Sequence, residues 1–186
     1  PAGRQLTMQV VTHHLEMHQR PVEPALPPPR PGLTIVHSVE PTVRWYRFLY
    51  ESVGGPWRWT DRTRMSDEAL GAIVQHPAVA VHVLLASGVP AGYIELDART
   101  PAQNSGDCEI AYFGIFPESI GHRLGPYLLS WGIHRAWEVV PALRRLWVHT
   151  CSFDHPRALS TYQRLGFTVY EEHRAEIDEA ALASES

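Results

Sequence analysis

The most constraining stretch of the chain runs from Cys108 to Val139. Cys108 to Phe116 is an apolar, aromatic run of strand character, closed by Pro117. A loop from Glu118 to Gly125 follows, with glycine at 121 and 125. It leads straight into a helix expected from about Pro126 to Val139, whose Leu129, Ile133 and Trp137 share one face at i, i+4 and i+8. Proline is tolerated in a first helical turn. Backbone amides at such a helix start are unpaired, and the helix dipole adds partial positive charge there. The place suits an anion, a phosphate or pyrophosphate above all. His122 and Arg123 could add charge-assisted contacts. A plain tight turn has the same look, so the loop by itself leaves binding and structure both open.

Either side of this stretch the chain punctuates itself. Gln9 to Met17 has strand propensity with partial alternation. Prolines at 21, 24, 27–29 and 31 then fix φ and remove donors, so this part should be an extended strap outside any sheet, lying across the domain or hanging free. Leu33 to His37 reads as a strand and Glu40 to Val53 as a helix stopped by Gly54-Gly55-Pro56. A second helix starts with Ser66 as cap and acidic residues in its first turn, and ends near Gln75 before Pro77. Val79 to Ala86 and Pro90 to Asp97 read as a hairpin about Ser87-Gly88. A polar, turn-rich segment, Arg99 to Gly106, separates this hairpin from the strand at 108–116. Arg144 to Thr150 is a strand, a helix capped by Asp154 or His155 ends at Gly166, and Phe167 to Ile177 is the last strand. The acidic, alanine-rich tail is expected to fray. Strands and helices in this order specify an α/β domain around one mixed sheet.

Composition narrows the function classes. A chain of 186 residues suits one domain. Its net charge of -4 argues against a general nucleic-acid binder. No apolar run approaches the roughly 20 residues a membrane span needs, and no stretch reads as a secretory leader, so a cytoplasmic protein is expected. Cys108 and Cys151 sit in apolar stretches without C-x-x-C or zinc spacing, as reduced buried thiols do. The eleven histidines form no ligand motif, and no metal is expected. All 16 basic residues are arginine, so charged contacts to an anion fall to arginine or histidine.

The segment D-H-P-R-A-L-S-T-Y-Q-R-L-G-F at 154–167, taken with the strand, Pro117, glycine loop, helix and strand before it, resembles the GNAT family of acyl-CoA N-acyltransferases. Asp154, Ala158, Tyr162, Gly166 and Phe167 fall in register with that family's D/N-N-x-x-A-x-x-x-Y-x-x-x-G-F, with His155 where asparagine is frequent. The family loop, Q/R-x-x-G-x-G/A, is matched in part: Ile120 takes the Q/R position, Arg123 the first motif glycine, and Gly125 keeps the last. The resemblance extends over roughly residues 33–178 and is most specific over 109–167. It implies a single-domain GNAT fold at 32–186, a mixed, mostly antiparallel sheet flanked by helices, behind an N-terminal extension at 1–31.

The resemblance also implies roles. The backbone at Phe113, Ile115 and Phe116 would pair with the pantetheine arm of acetyl-CoA. Amides of Gly121, His122, Arg123, Leu124 and Gly125 would hold the pyrophosphate, with His155, Arg157 and Ala158 completing the cofactor contacts. Glu109 is the general-base candidate, directly or through water, with Asp107 and Glu95 as weaker alternatives and a solvated strand-end carboxylate as the structural alternative. Tyr162 is the acid candidate for the coenzyme A sulfur. A backbone N–H of the 113–116 strand end would stabilise the oxyanion. Trp57, Trp59, Tyr93 and Tyr112 are candidate walls for the acceptor, although such aromatics also cap cores. The expected activity is direct transfer of an acetyl group to a primary amine of a small molecule. A non-catalytic CoA-binding module and transfer of a larger acyl group are the alternatives, and homodimerisation is common in the family.

Overall fold

The computed structural model describes residues 7–99 and 106–178. In chain order these form β1 (Thr7–Met17), β2 (Leu33–Ser38), α1 (Val43–Gly54), α2 (Asp67–Val74), β3 (Val79–Ala86), β4 (Val89–Asp97), β5 (Asp107–Ile115), α3 (Leu124–Val139), β6 (Arg145–Cys151), α4 (Ala158–Arg164) and β7 (Thr168–Asp178). The tail after residue 178 and most of the turn-rich segment at 99–106 lie outside the described residues.

One seven-stranded sheet carries the order β2-β3-β4-β5-β6-β1-β7. Every pairing is antiparallel except β5 with β6. This is the mixed, mostly antiparallel α/β sheet expected. The strand of the N-terminal segment is not an appendage to it: β1 is an interior strand, pairing with β6 from Thr12 to Met17 and with β7 from Thr7 to Glu16. The proline strap lies across α3. The Leu26 amide donates to Ser130 Oγ at 3.0 Å, a His134 ring nitrogen meets the Glu23 carbonyl at 2.9 Å, and Arg20 pairs with Glu138 at 3.2 Å.

Two apolar clusters sandwich the sheet. Leu128, Leu129 and Ile133 of α3 pack with Leu15, Ile94, Leu96 and Leu146 on one face. Tyr46, Leu49, Tyr50 and Leu70 of α1 and α2 pack with Val81, Val83 and Tyr93 on the other. A side chain at Gly114 would run into Val53, so glycine there lets α1 sit directly on β5.

Three helix starts differ from the sequence expectation. α1 begins at Val43, not Glu40, because Pro41 keeps its predecessor out of the α region; Glu40 has φ +48°, and Thr42 caps the helix by accepting from the Trp45 amide. α3 begins at Leu124, ahead of Pro126, with Arg123 as its N-cap in the left-handed region at φ +60°. α4 begins only at Ala158, with Arg157 as N-cap, so neither Asp154 nor His155 caps it.

His82 shows how burial couples this fold to pH. It is 2% exposed, stacked on His37 at 4.7 Å and edge-on to Trp131 at 4.9 Å, and its Nδ1 has no hydrogen-bond partner among the described residues. Burial first, then His37 and Arg135, push its pKa down to about 4. The unfolded chain therefore takes up this proton below pH 6.5 while the native state refuses it, so stability present at pH 7 is lost as pH falls toward 4. We expect His82 to account for roughly 2–3 kcal/mol of acid destabilisation over that window. Urea unfolding at pH 7.0 and 4.5 checks it: His82→Asn should narrow the difference between the two pH values, and an equal difference refutes the assignment.

Candidate active site

β5 and β6 pair in parallel through only three registers, Asp107 with Arg145, Cys108 with Leu146, and Glu109 with Trp147. Beyond Glu109 the strands diverge. A bulge between Glu95 and Leu96 of β4 leaves Ala111 as the extra residue on β5 and bends that strand away. The wedge so opened is the floor of a cleft of about 1210 Å³, larger than the ~300–1,000 Å³ usual for a single small-ligand site.

Part of the lining of the cleft is basic. The start of α3 faces it with Gly121, Arg123, Leu124 and Gly125, and α4 adds Arg157, Thr161 and Arg164. Gly121 has φ +91° and open space where a side chain would lie. The helix is 16 residues long, so its first amides carry a full dipole end. The proline strap closes this part of the rim through Leu26 to Pro29.

Another part of the lining is aromatic. Trp57 and Trp59, from the turn after α1, face Tyr112 and His155. Trp59 packs against Tyr50 at 5.5 Å and Tyr112 at 5.2 Å, and Trp57 sits edge-on to His155 at 5.4 Å. Asp154 locks this wall in place. Its Oδ1 accepts from Trp59 Nε1 at 3.1 Å, and its Oδ2 accepts from Thr150 Oγ1 at 2.7 Å and from the Cys151 amide at 2.9 Å. One of the two residues expected to cap α4 thus ties the turn after α1 to the loop after β6. Asp61 lies on the same wall, its carboxylate 3.4 Å from the Tyr112 hydroxyl.

Tyr162 meets the cleft from α4, its ring held edge-on between Phe113 at 6.2 Å and Phe167 at 5.9 Å. Burial, with Asp154 nearby, pushes its phenol well above the ordinary tyrosine range, so it stays protonated at neutral pH. Of the thiols, burial raises Cys108 to about 12 and shifts Cys151 upward too, which makes both poor thiolate nucleophiles at neutral pH.

Most sequence candidates line this one cleft: Phe113, Ile115, Gly121, Arg123, Leu124, Gly125, His155, Arg157, Ala158, Tyr162, Trp57, Trp59 and Tyr112. Four do not. Tyr93 is fully buried, edge-on to Tyr46 beneath α1, and is a core residue rather than an acceptor wall. Phe116 is 4% exposed, packs on Phe48, and spends its amide on the Ala91 carbonyl. His122 turns back to the Ser119 carbonyl at 3.2 Å. Glu109 sits where β5 and β6 part, 3.4 Å from His149 Nδ1, and of the two it is His149 that lines the cleft. Asp107 is paired with Arg145, and Glu95 is sealed in the core with Arg62 and Tyr46, so neither alternative base is open to the cleft.

Sequence reasoning passed over His149, Asp61 and Arg164. Arg164 had a legible signal, lying at i+7 from Arg157 and i+3 from Thr161 on one helix face.

A model of the acetyltransferase (GNAT) family matches residues 43–167. The chain belongs to the GNAT acetyltransferase family. Among solved structures, this GNAT domain is similar to a GCN5-related N-acetyltransferase from Kribbella flavida, with TM-score 0.62 and 18% identity over 92% of this chain and 59% of that one. A GCN5-related N-acetyltransferase from Sphaerobacter thermophilus gives 0.59 and 19% over 96% of this chain and 62% of that one. The chain thus spans about three-fifths of the length of these two. AAC(6')-Iy in complex with the bisubstrate analog CoA-S-monomethyl-acetylneamine gives 0.57 and 19% over 75% of this chain and 92% of that one. At these identities the likeness concerns the fold. No curated protein matches the chain.

Proposed function

We propose that the protein transfers the acetyl group of acetyl-CoA to a primary amine of a small molecule by direct attack within a ternary complex. The observation that carries this reading is the wedge between β5 and β6, a cleft lined together by the basic start of α3, the aromatic wall and Tyr162. Strand edges that part leave amides and carbonyls unpaired, which suits the amide-bearing pantetheine arm along Phe113 to Ile115. The amides of Gly121 to Gly125, with Arg123, Arg157 and Arg164, suit the pyrophosphate; no lysine exists in the chain to do this. Acetyl-CoA supplies an activated acyl group, and an unpaired β5 amide can stabilise the oxyanion that forms when it is attacked. Tyr162 supplies the proton for the departing sulfur. Asp61 beside Trp59 and Tyr112 favours an acceptor that is cationic in solution, since aromatic faces and a carboxylate both attract ammonium.

Thermal melting with acetyl-CoA tests the reading. At a hundred times its Kd, a ligand of the native state adds about 2.7 kcal/mol, a rise of several degrees for a chain of this size. No shift with acetyl-CoA or with any longer acyl-CoA overturns it.

A further inference from the structure

We propose that His149 is the catalytic base that takes the proton from the acceptor amine, and that Glu109 is its positioning residue; this rests on the transferase reading above. Glu109 closes the paired part of the β5–β6 ladder, and His149 stands on the strand that diverges from it. His149 Nδ1 lies 3.4 Å from Glu109 Oε1. An ionised carboxylate selects the tautomer with its proton on Nδ1, which leaves Nε2, the ring nitrogen not paired with Glu109, as the basic one. The imidazole lines the cleft and the carboxylate, held on its Nδ1 side, does not. This is the spatial order of a base and its orienting group.

The groups around His149 fit the task. From β1, His14 lies with its ring 5.8 Å away; burial first, then repulsion from His149 and His173, lower its pKa, so the proton of the pair goes to His149 rather than His14. Trp147 on the same strand flanks the ring at 6.4 Å. Glu109, Asp154 and Asp61 contribute negative charge from three different segments, and they raise the His149 pKa above its ordinary value, the hydrogen bond to Glu109 most and burial opposing. A raised pKa makes the imidazole a stronger proton acceptor.

The step balances. The neutral amine attacks the thioester carbonyl and forms the C–N bond. The positively charged nitrogen then gives one proton to His149 Nε2. The C–S bond breaks with its electrons on sulfur, which takes a proton from Tyr162. Solvent returns the proton from His149 to Tyr162, so amine and thioester become amide and thiol.

The test uses the full chain, acetyl-CoA and a panel of aliphatic and aromatic primary amines, with thiol release as readout. His149→Gln should lower kcat/KM about a hundredfold and remove the limb of its pH profile that His149 sets, leaving only that of the amine itself, with an unchanged melting shift on acetyl-CoA. Glu109→Gln should move that limb to lower pH. NMR of the imidazole nitrogens reads the pair without turnover: Glu109→Gln should lower the His149 pKa and weaken its preference for the proton on Nδ1. Unchanged kcat/KM in His149→Gln, or an unaltered His149 titration in Glu109→Gln, overturns the proposal. Failure of the wild type to shift with any acyl-CoA overturns the transferase reading instead, so the two failures are distinct.

Discussion

Replacing Tyr162 with phenylalanine is expected to lower kcat by about a hundredfold or more, the usual range for a positioned proton donor, while acetyl-CoA binds as tightly as before. The substitution keeps what holds the ring. Phe113 and Phe167 contact it edge-on, and a phenyl group fills the same slot without opening a cavity. Only the hydroxyl is removed, and with it the proton for the leaving thiolate. Its raised pKa means that the hydroxyl carries that proton throughout the pH range in which an amine can attack. The loss should therefore be the same at pH 7 and pH 9. Thiol-release kinetics give kcat, and isothermal titration with acetyl-CoA gives Kd. An unchanged kcat removes Tyr162 from the mechanism. A fall in kcat matched by a fall in affinity makes it a binding residue instead.

How much of this was readable beforehand depends on the range of the interaction that decides each feature. Prolines 117 and 126 and the glycines at 121 and 125 act locally, and the strand, loop and α3 lie where they indicated, within two residues. Tyr162 was legible in another way, through its register in the D-H-P-R-A-L-S-T-Y-Q-R-L-G-F segment that resembles the GNAT motif. The position of β1 was not legible. Its alternation marks a strand, but pairing with β6 and β7 depends on residues more than a hundred positions away, which no local pattern encodes.

The same limit explains the site. Glu109 was found by its place on β5, whereas His149 becomes its neighbour only through the parallel pairing of β5 with β6. Tyr93 and Tyr112 look alike in sequence, one strand apart. Tyr93 pairs with Gly114 under α1 and is sealed, while Tyr112 pairs with Glu95 beside the bulge and reaches the cleft.

Glu95→Ala should be among the most destabilising single substitutions in the chain. Glu95 is wholly buried on β4, accepting from Arg62 Nη2 at 2.8 Å and from the Tyr46 hydroxyl. Burial pushes its carboxyl pKa up and Arg62 draws it back, while the same pairing holds the Arg62 guanidinium charged. Arg62 is itself only 7% exposed, and its Nε already has no hydrogen-bond partner among the described residues. Removing the carboxylate leaves that cation buried with little to offset its desolvation, a loss of about 3–5 kcal/mol. The effect should reach the cleft, because Arg62 lies over the Tyr112 ring at 5.1 Å and so supports the aromatic wall from behind. A paired substitution separates charge from packing. Glu95→Leu combined with Arg62→Met removes both charges at similar volume and should be less destabilising than Glu95→Ala, since no ion is then left alone. Urea unfolding of the two variants against wild type at pH 7 measures this. A loss below about 1 kcal/mol for Glu95→Ala would show that water reaches Arg62 and that the pair is not the anchor of this wall.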